Sequence, residues 1–245
     1  MNDKKKVVIT GASSKIGLAI FNELVDANPG DDFILQCSTN PAALEPTLAQ
    51  LPERGRCEIR KVDFQDEEAL NAFLQCIRDT DILVNAAAVT ITGTLPQLEV
   101  EMIRRMMRVN IEALTRLCAA VIPGMTAKRR GCIVNISSVT ASRGNRGQSV
   151  YAGTKGYIES FTRSLAAEYG AKGIRINCVA PGPSHSGKLE ELLEYAPDEV
   201  KKSIAANRLG EPADVANLVG FLCSDKAAFI NGKIIGVDGG FMRGV

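Results

Sequence analysis

Three side chains in the middle of the chain are of types that can place a proton on a carbonyl oxygen. Tyr151 and Lys155 stand four residues apart in a segment with helical apolar spacing, so they share one helix face. A phenol ordinarily titrates near about 10. A neighbouring ammonium favours its ionised form and so tunes it for proton transfer at neutral pH. Ser138 comes thirteen residues before the tyrosine, closing the strand-like run Asn135-Ile136-Ser137-Ser138. Its hydroxyl is suited to hydrogen-bond a substrate oxygen and hold it beside the phenol. Tyr-x-x-x-Lys alone recurs by chance on many helices, so its meaning depends on what surrounds it.

A glycine-rich turn near the N-terminus supplies that context. The run Thr10-Gly11-Ala12-Ser13-Ser14-Lys15-Ile16-Gly17 joins an apolar strand to a helix. Such a turn brings backbone N–H groups and the positive end of a helix to a pyrophosphate. Gly11 permits the tight turn and Gly17 close helix–strand packing. Sites for NAD usually end the second strand on a carboxylate that bonds the ribose 2′-hydroxyl. Here the strand ends Gln36-Cys37-Ser38-Thr39-Asn40, and Asp31 and Asp32 precede it. Ser38, Thr39 or Asn40, with Ser14 or Lys15 nearby, is thus expected to meet a 2′-phosphate, favouring NADPH over NADH. The same Ser38-Thr39-Asn40-Pro41 also suits a helix cap, and the two roles are compatible.

The elements that must position these residues are legible from periodicity. Short β-branched runs at 6–10, 33–37, 56–62, 81–85, 131–137, 175–179 and 233–237 alternate with helical stretches near 15–28, 42–50, 66–78, 110–125 and 150–169. Continuous apolar strands alternating with helices predict one α/β domain over 1–245, a seven-stranded parallel sheet covered on both faces. The stretch from Pro181 to Arg208 is rich in Pro, Gly and Ser before a charged helical piece at 188–195. It reads as a substrate loop or lid near 183–208, outside the carboxyl end of a strand where such sheets build ligand sites.

Composition removes other classes. The 245 residues are 45% hydrophobic and 23% charged, with 29 basic and 28 acidic side chains, which excludes disorder and gives no broad field for nucleic acid or membrane. No apolar run reaches the roughly 18 residues of a membrane helix. The opening Met1 to Lys6 runs straight into Val7-Val8-Ile9, leaving no room for a signal peptide. Seven cysteines without C-x-x-C spacing, and a single histidine, His185, exclude a zinc or disulfide framework. Reduced buried thiols in the cytoplasm are expected.

With these residues in order, the sequence resembles the short-chain dehydrogenase/reductase family over essentially its whole length. The matching signatures are Thr10-Gly11 to Gly17, Asp63, Asn85-Ala86-Ala87, Asn110, Ser138, Tyr151-x-x-x-Lys155 and Pro181-Gly182. The 3-oxoacyl-acyl-carrier-protein reductases look most similar, with Arg208 to Pro212, Ile230-Asn231-Gly232 and Val237 to Gly240 in support. The resemblance implies a doubly wound, Rossmann-like domain in which Tyr151 gives a proton to a ketone while Lys155 tunes it and holds the nicotinamide ribose. It also implies that Ser138 positions the carbonyl and that Asn110 supports a water relay behind Lys155. The cofactor contacts it implies run from Gly11 through Ser13, Ser14, Lys15 and Ile16 to Gly17, then Ser38 to Asn40, Asp63 at the adenine, Asn85, Ala86, Pro181, Gly182, Ser184 and Ser186. Two positions depart from the family pattern: glycine is usual where this chain has Lys15 and Ala88. A side chain at either is strained if the backbone there needs positive φ.

The expected activity is therefore NADPH-dependent reduction of a 3-oxoacyl thioester, carried by an acyl carrier protein, in fatty-acid or polyketide-type synthesis. The alternatives are a free alcohol, sugar or cyclic ketone as substrate, or a catalytically silent dinucleotide-binding sensor. Lys128-Arg129-Arg130 reads as a solvated helix end. By resemblance, Arg129 and Lys172 form a dock for the acidic carrier. His185 reads as a surface residue. The long apolar helices could simply cover the sheet, but the resemblance implies that they also pair across a two-fold axis, so a homotetramer is expected.

Overall fold

The computed structural model describes residues 4–48, 56–186 and 201–241. Seven strands form one parallel sheet: β1 (Lys6–Thr10), β2 (Asp32–Cys37), β3 (Cys57–Lys61), β4 (Ile82–Asn85), β5 (Gly131–Ile136), β6 (Ile174–Pro181) and β7 (Ile234–Val237). Their order is β3-β2-β1-β4-β5-β6-β7. The chain therefore steps outward from β1 to β3, crosses back to β4 and steps outward the other way, leaving a crevice at the carboxyl ends of β1 and β4. The expected doubly wound α/β architecture is what the chain adopts.

Alternation along the strands divides the core. Val7 and Ile9 of β1, Leu35 of β2, Val84 of β4 and Val134 of β5 pack against α1 (Lys15–Ala27) and α8 (Pro212–Cys223). Val8, Ile34, Leu83 and Ile133 face the other way, against α3 (Glu67–Cys76), α5 (Leu114–Lys128) and α7 (Ser149–Tyr169). Both faces of the sheet are thus buried, which is why its strands read as unbroken apolar runs.

Several elements differ from the sequence expectation for identifiable reasons. The helix expected from residue 110 begins at α4 (Val100–Met107), passes through a π-turn over Arg108–Ala113 and continues as α5. Val100, Ile103, Met106 and Met107 of α4 stand at helical spacing although only Met106 is buried, and the π-turn shifts the register between the two parts. The helix expected over 42–50 is a 3₁₀ turn, Pro41–Leu44, followed by the short α2 (Glu45–Leu48); residues 49–50 lie outside the described residues. β5 stops at Ile136, so Ser138 follows the strand instead of closing it and leads into the short α6 (Thr140–Arg143). The charged piece at 188–195, and with it most of the expected lid, lies outside the described residues.

All seven cysteines are free: Cys37, Cys118, Cys132, Cys178 and Cys223 are buried, Cys57 is half-buried and Cys76 is exposed. Among the described residues no helix is long and apolar enough to cross a membrane. No cluster of three or more His, Cys, Asp or Glu among them is placed to hold a metal.

Candidate active site

The crevice at the strand ends opens into a cleft of about 1100 Å³. Its floor begins at the β1–α1 turn. Gly11 has φ +65°, and a Cβ there would lie 2.7 Å from the backbone of Ala87, so two constraints demand glycine. Its N–H donates to Gln36 Oε1 at 2.9 Å, which ties the turn to β2. A Cβ on Gly17 would fall on the Gly11 carbonyl oxygen, so the helix can approach the turn this closely only without one. Ser14 caps α1 by accepting from the Gly17 N–H at 3.0 Å. Ser13, Ser14, Lys15 and Ile16 line the cleft around this helix end.

The two departures from the family pattern carry no backbone strain. Among the described residues the only non-glycines with positive φ are Arg129 and Asn207. Lys15 is the first residue of α1, and Ala88 lies exposed on the cleft floor.

Beyond the turn, Ser38, Thr39 and Asn40 form one wall and Asp63, Phe64 and Gln65 continue it. Asp63 accepts from the Gln65 N–H at 2.9 Å, which shapes the loop after β3. Asp31 and Asp32 sit at the opposite end of β2, where Asp31 accepts from the Lys5 N–H and Asp32 pairs with Lys4 at 2.8 Å. The Lys4 ammonium holds the Asp32 carboxyl below its usual range against the opposing effect of its partial burial.

Helix α7 sets the reactive groups. Tyr151 is half-buried and lines the cleft one turn before Lys155, which is 2% exposed. The lysine ammonium donates to the Ile136 carbonyl at 2.8 Å and lies 5.6 Å from the centre of the Tyr151 ring. The last carbonyl of β5 therefore fixes the height of Lys155 against the tyrosine. A turn further along, the buried Glu159 accepts from Ser137 Oγ at 3.0 Å. Burial, with the Glu159 charge adding to it, pushes the nearby Cys178 thiol up to about 12. Ser138 Oγ faces the cleft and donates to Thr140 Oγ1 at 3.1 Å.

Asn110 does not reach the cleft. Its Nδ2 donates to the Val89 carbonyl at 2.9 Å and to Thr154 Oγ1 at 3.1 Å, while Oδ1 accepts from the Val89 N–H at 2.8 Å. Thr154 in turn donates to the Tyr151 carbonyl at 2.8 Å. The Asn110 side chain is thus a clamp that joins the Val89 segment of the cleft to α7. Asn85 is also below the floor, donating to Asn135 Oδ1 at 2.9 Å, and Gly17 acts by packing. The remaining expected contacts, Ala86, Pro181, Gly182, Ser184 and Ser186, line the cleft. Gly182 lies against Asp238, where a Cβ would meet that side chain at 2.5 Å. Thr154, Ser137 and Glu159 were missed by the sequence reading; Thr154 lies inside the Tyr-x-x-x-Lys motif, and its signal was its position one residue before the lysine.

A groove with a glycine turn at a helix N-terminus, a hydroxyl-rich ribose wall and a Tyr–Lys–Ser set beyond it fits a nicotinamide dinucleotide. Gly11 to Ile16 would hold the pyrophosphate and Lys155 the nicotinamide ribose. The model described as enoyl-(acyl carrier protein) reductase matches residues 11–242. The chain belongs to the short-chain dehydrogenase/reductase family. It is 35% identical over 240 residues to the 3-oxoacyl-[acyl-carrier-protein] reductase FabG of Haemophilus influenzae, covering 96% of this chain and 97% of that one. A solved oxidoreductase of the short-chain dehydrogenase/reductase family from Burkholderia thailandensis superposes with TM-score 0.86 at 31% identity, over 99% and 94% of the two chains. A Beutenbergia cavernae protein with the working name NAD(P)-dependent gluconate 5-dehydrogenase, solved with NADP at low occupancy, gives TM-score 0.90 at 27% identity over 98% and 97%. As a member of this family the chain is an oxidoreductase acting on a CH–OH/C=O pair.

Three further expected residues lie away from the reactive groups. Arg129 follows α5 with φ +50° and donates to the Ala171 carbonyl at 3.2 Å, beside the turn that contains Lys172. The two are thus neighbours, but at the amino edge of the sheet. The six residues of β5 separate them from Ser138, a distance of roughly 20 Å at the usual strand rise. His185 is 45% exposed on its side chain, with Nε2 3.7 Å from a Glu211 carboxylate oxygen.

Proposed function

We propose that the protein reduces a 3-oxoacyl thioester to the 3-hydroxyacyl thioester, drawing on NADPH, with an acyl carrier protein as the natural bearer of the substrate in fatty-acid or polyketide-type synthesis. The observation that carries the reading is the convergence of Ser138, Tyr151 and buried Lys155 on the cleft that begins at the phosphate turn. A reduced nicotinamide held there supplies the hydride. Ser138 orients the ketone oxygen, and the Tyr151 phenol gives it the proton that completes the alcohol. Lys155, held by the Ile136 carbonyl, keeps a positive charge beside the phenol as it loses that proton. The preference for NADPH rests on the carboxylate-free wall of Ser38, Thr39 and Asn40, which a 2′-phosphate can approach without repulsion.

The likeness to a gluconate dehydrogenase supports a second reading in which a free sugar-type alcohol is the substrate. Carrier docking at Arg129 and Lys172 is tied to the expected homotetramer, because on one chain these residues face away from the cleft. A carrier bound there serves a neighbouring subunit's cleft. NADPH absorbance with an acetoacetyl thioester, in wild type and Tyr151→Phe, tests the reduction; the same assay with the acyl carrier protein thioester tests the bearer. Consumption lost in the variant and faster with the carrier supports the proposal. No consumption with either thioester, but oxidation of a polyol, establishes the second reading.

A further inference from the structure

The substrate end of the cleft carries a charge pattern that neither proton transfer nor dinucleotide binding uses. Arg105 comes from α4, Arg143 ends α6, and Arg146 stands in the turn before α7; all three line the cleft and are exposed. The arginines beside Arg105 are paired, Arg104 with Glu101 at 3.7 Å and Arg108 with Glu67 at 3.3 Å. Among the described residues none of the three cleft arginines takes part in an ion pair. The only carboxylate among the described residues lining the cleft is Asp63, at the adenosine end. Three guanidiniums from two separate segments therefore line one cleft, whose charge beyond Asp63 is of a single sign.

The turn that carries two of them is built rather than loose. Gly144 and Gly147 adopt φ +70° and +77° on either side of Asn145-Arg146. The Gly147 carbonyl accepts from the Gly93 N–H at 2.9 Å, which pins the turn to the segment after β4, next to Thr92 in the cleft lining. Asn145 Nδ2 donates to Gln148 Oε1 at 3.2 Å. The Arg143 guanidinium lies 4.0 Å above the centre of the Phe241 ring, which holds its position while leaving its N–H groups to a ligand. Holding like charges together on a fixed turn is unfavourable by itself, and a bound anion removes that cost. Guanidinium forks match carboxylate and phosphate oxygens in particular.

We propose that Arg105, Arg143 and Arg146 form an anion-reading subsite, so that the carbonyl substrate bears a carboxylate or phosphate at the end that leaves the cleft. The proposal deepens the reduction assigned above and rests on it. The anion has two sources: a carboxylate terminating the acyl chain, or the phosphate of a phosphopantetheine arm.

Two matched substrate pairs separate them: the 3-oxoadipyl thioester of N-acetylcysteamine against its methyl ester, and 3-oxobutanoyl thioesters of 4′-phosphopantetheine against pantetheine. In wild type, kcat/KM is expected to favour the charged member of one pair by about tenfold, chiefly through KM, with the preference shrinking as salt is raised. In the Arg143→Gln/Arg146→Gln double variant, and less completely in Arg105→Gln, that ratio falls toward one. The pair that responds names the source. Ratios within about twofold of one for both pairs in wild type, or a ratio that survives in the double variant, overturn the proposal. If no thioester is reduced, the assigned reduction fails instead. Calorimetric binding of 3-hydroxyadipate and its diamide to the NADP-loaded protein then decides the subsite: preference for the diacid, lost in the double variant, supports it, and equal affinity overturns it.

Discussion

Replacing Asn110 with alanine should test the clamp between the cleft and α7. The side chain is 1% exposed and makes three hydrogen bonds, two to the backbone of Val89 and one to Thr154. Each is worth about 1 kcal/mol net, and the Val89 groups are left part-buried without their partner. A loss of about 3 kcal/mol follows, and for a chain of this length about 2–4 °C of Tm accompanies each kcal/mol. The expected fall is thus about 6–12 °C in a calorimetric scan. Below the new Tm, kcat should drop about tenfold or more, because Val89 lines the cleft and Thr154 bonds the Tyr151 carbonyl. Asn110→Asp keeps the acceptor for the Val89 N–H but sets a carboxylate oxygen against the Val89 carbonyl, so it should be no better tolerated. A Tm within about 2 °C of wild type for the alanine variant would show that water replaces the three bonds without cost, and the clamp would have to be abandoned.

Ser38→Asp places a carboxylate on the adenosine wall; kcat/KM for NADPH should fall about tenfold or more while that for NADH holds, and parallel losses would show that this wall does not face a 2′-phosphate. Brief iodoacetamide treatment at pH 8 should label exposed Cys76 before half-buried Cys57, whose thiol burial pushes up to about 12 and leaves about one part in ten thousand ionised; peptide mass mapping reads the order, and Cys57 reacting first contradicts it. The same burial raises Cys57, Cys118 and Cys178 to about 12. The folded state then keeps protons that the unfolded chain releases above its ordinary thiol range near about 9. Stability from this source is complete below pH 9 and declines as pH rises toward 12. Tm measured from pH 8 to 11 should fall progressively, and less steeply in Cys118→Ala once its lower starting point is subtracted.

The parts of this molecule written as local pattern were legible beforehand. Strands buried on both faces show as apolar runs, and the phosphate turn and the Tyr151–Lys155 spacing depend on residues close in sequence. What was not legible depends on a partner far away. That the Asn110 amide is committed to Val89 and Thr154 is set by contacts 21 and 44 residues away, which no local pattern shows. That β5 stands between Arg129 and Ser138 is likewise a matter of topology, which the sequence around Arg129 does not show. The helical spacing of Val100, Ile103, Met106 and Met107 in α4 is out of register with that of α5, because a π-turn breaks the period at Arg108–Ala113. Lys15 and Ala88 gave the opposite lesson: a departure from a family pattern need not imply strain, because neither backbone leaves the ordinary region.

The reversal of strand order at β1 and β4 has a consequence for how such a protein can change over generations. The cleft residues proposed to face the adenosine lie before residue 66, in the segments that follow β1 to β3, whereas the groups proposed to meet the carbonyl all come after residue 85. One exchange of genetic material between those points would bring in a new preference for the electron donor while leaving the substrate chemistry inherited whole. The joint to be kept compatible is the β1–β4 ladder together with the packing of α1 on α8. The two selectivities can thus be inherited apart, each as a continuous stretch of chain.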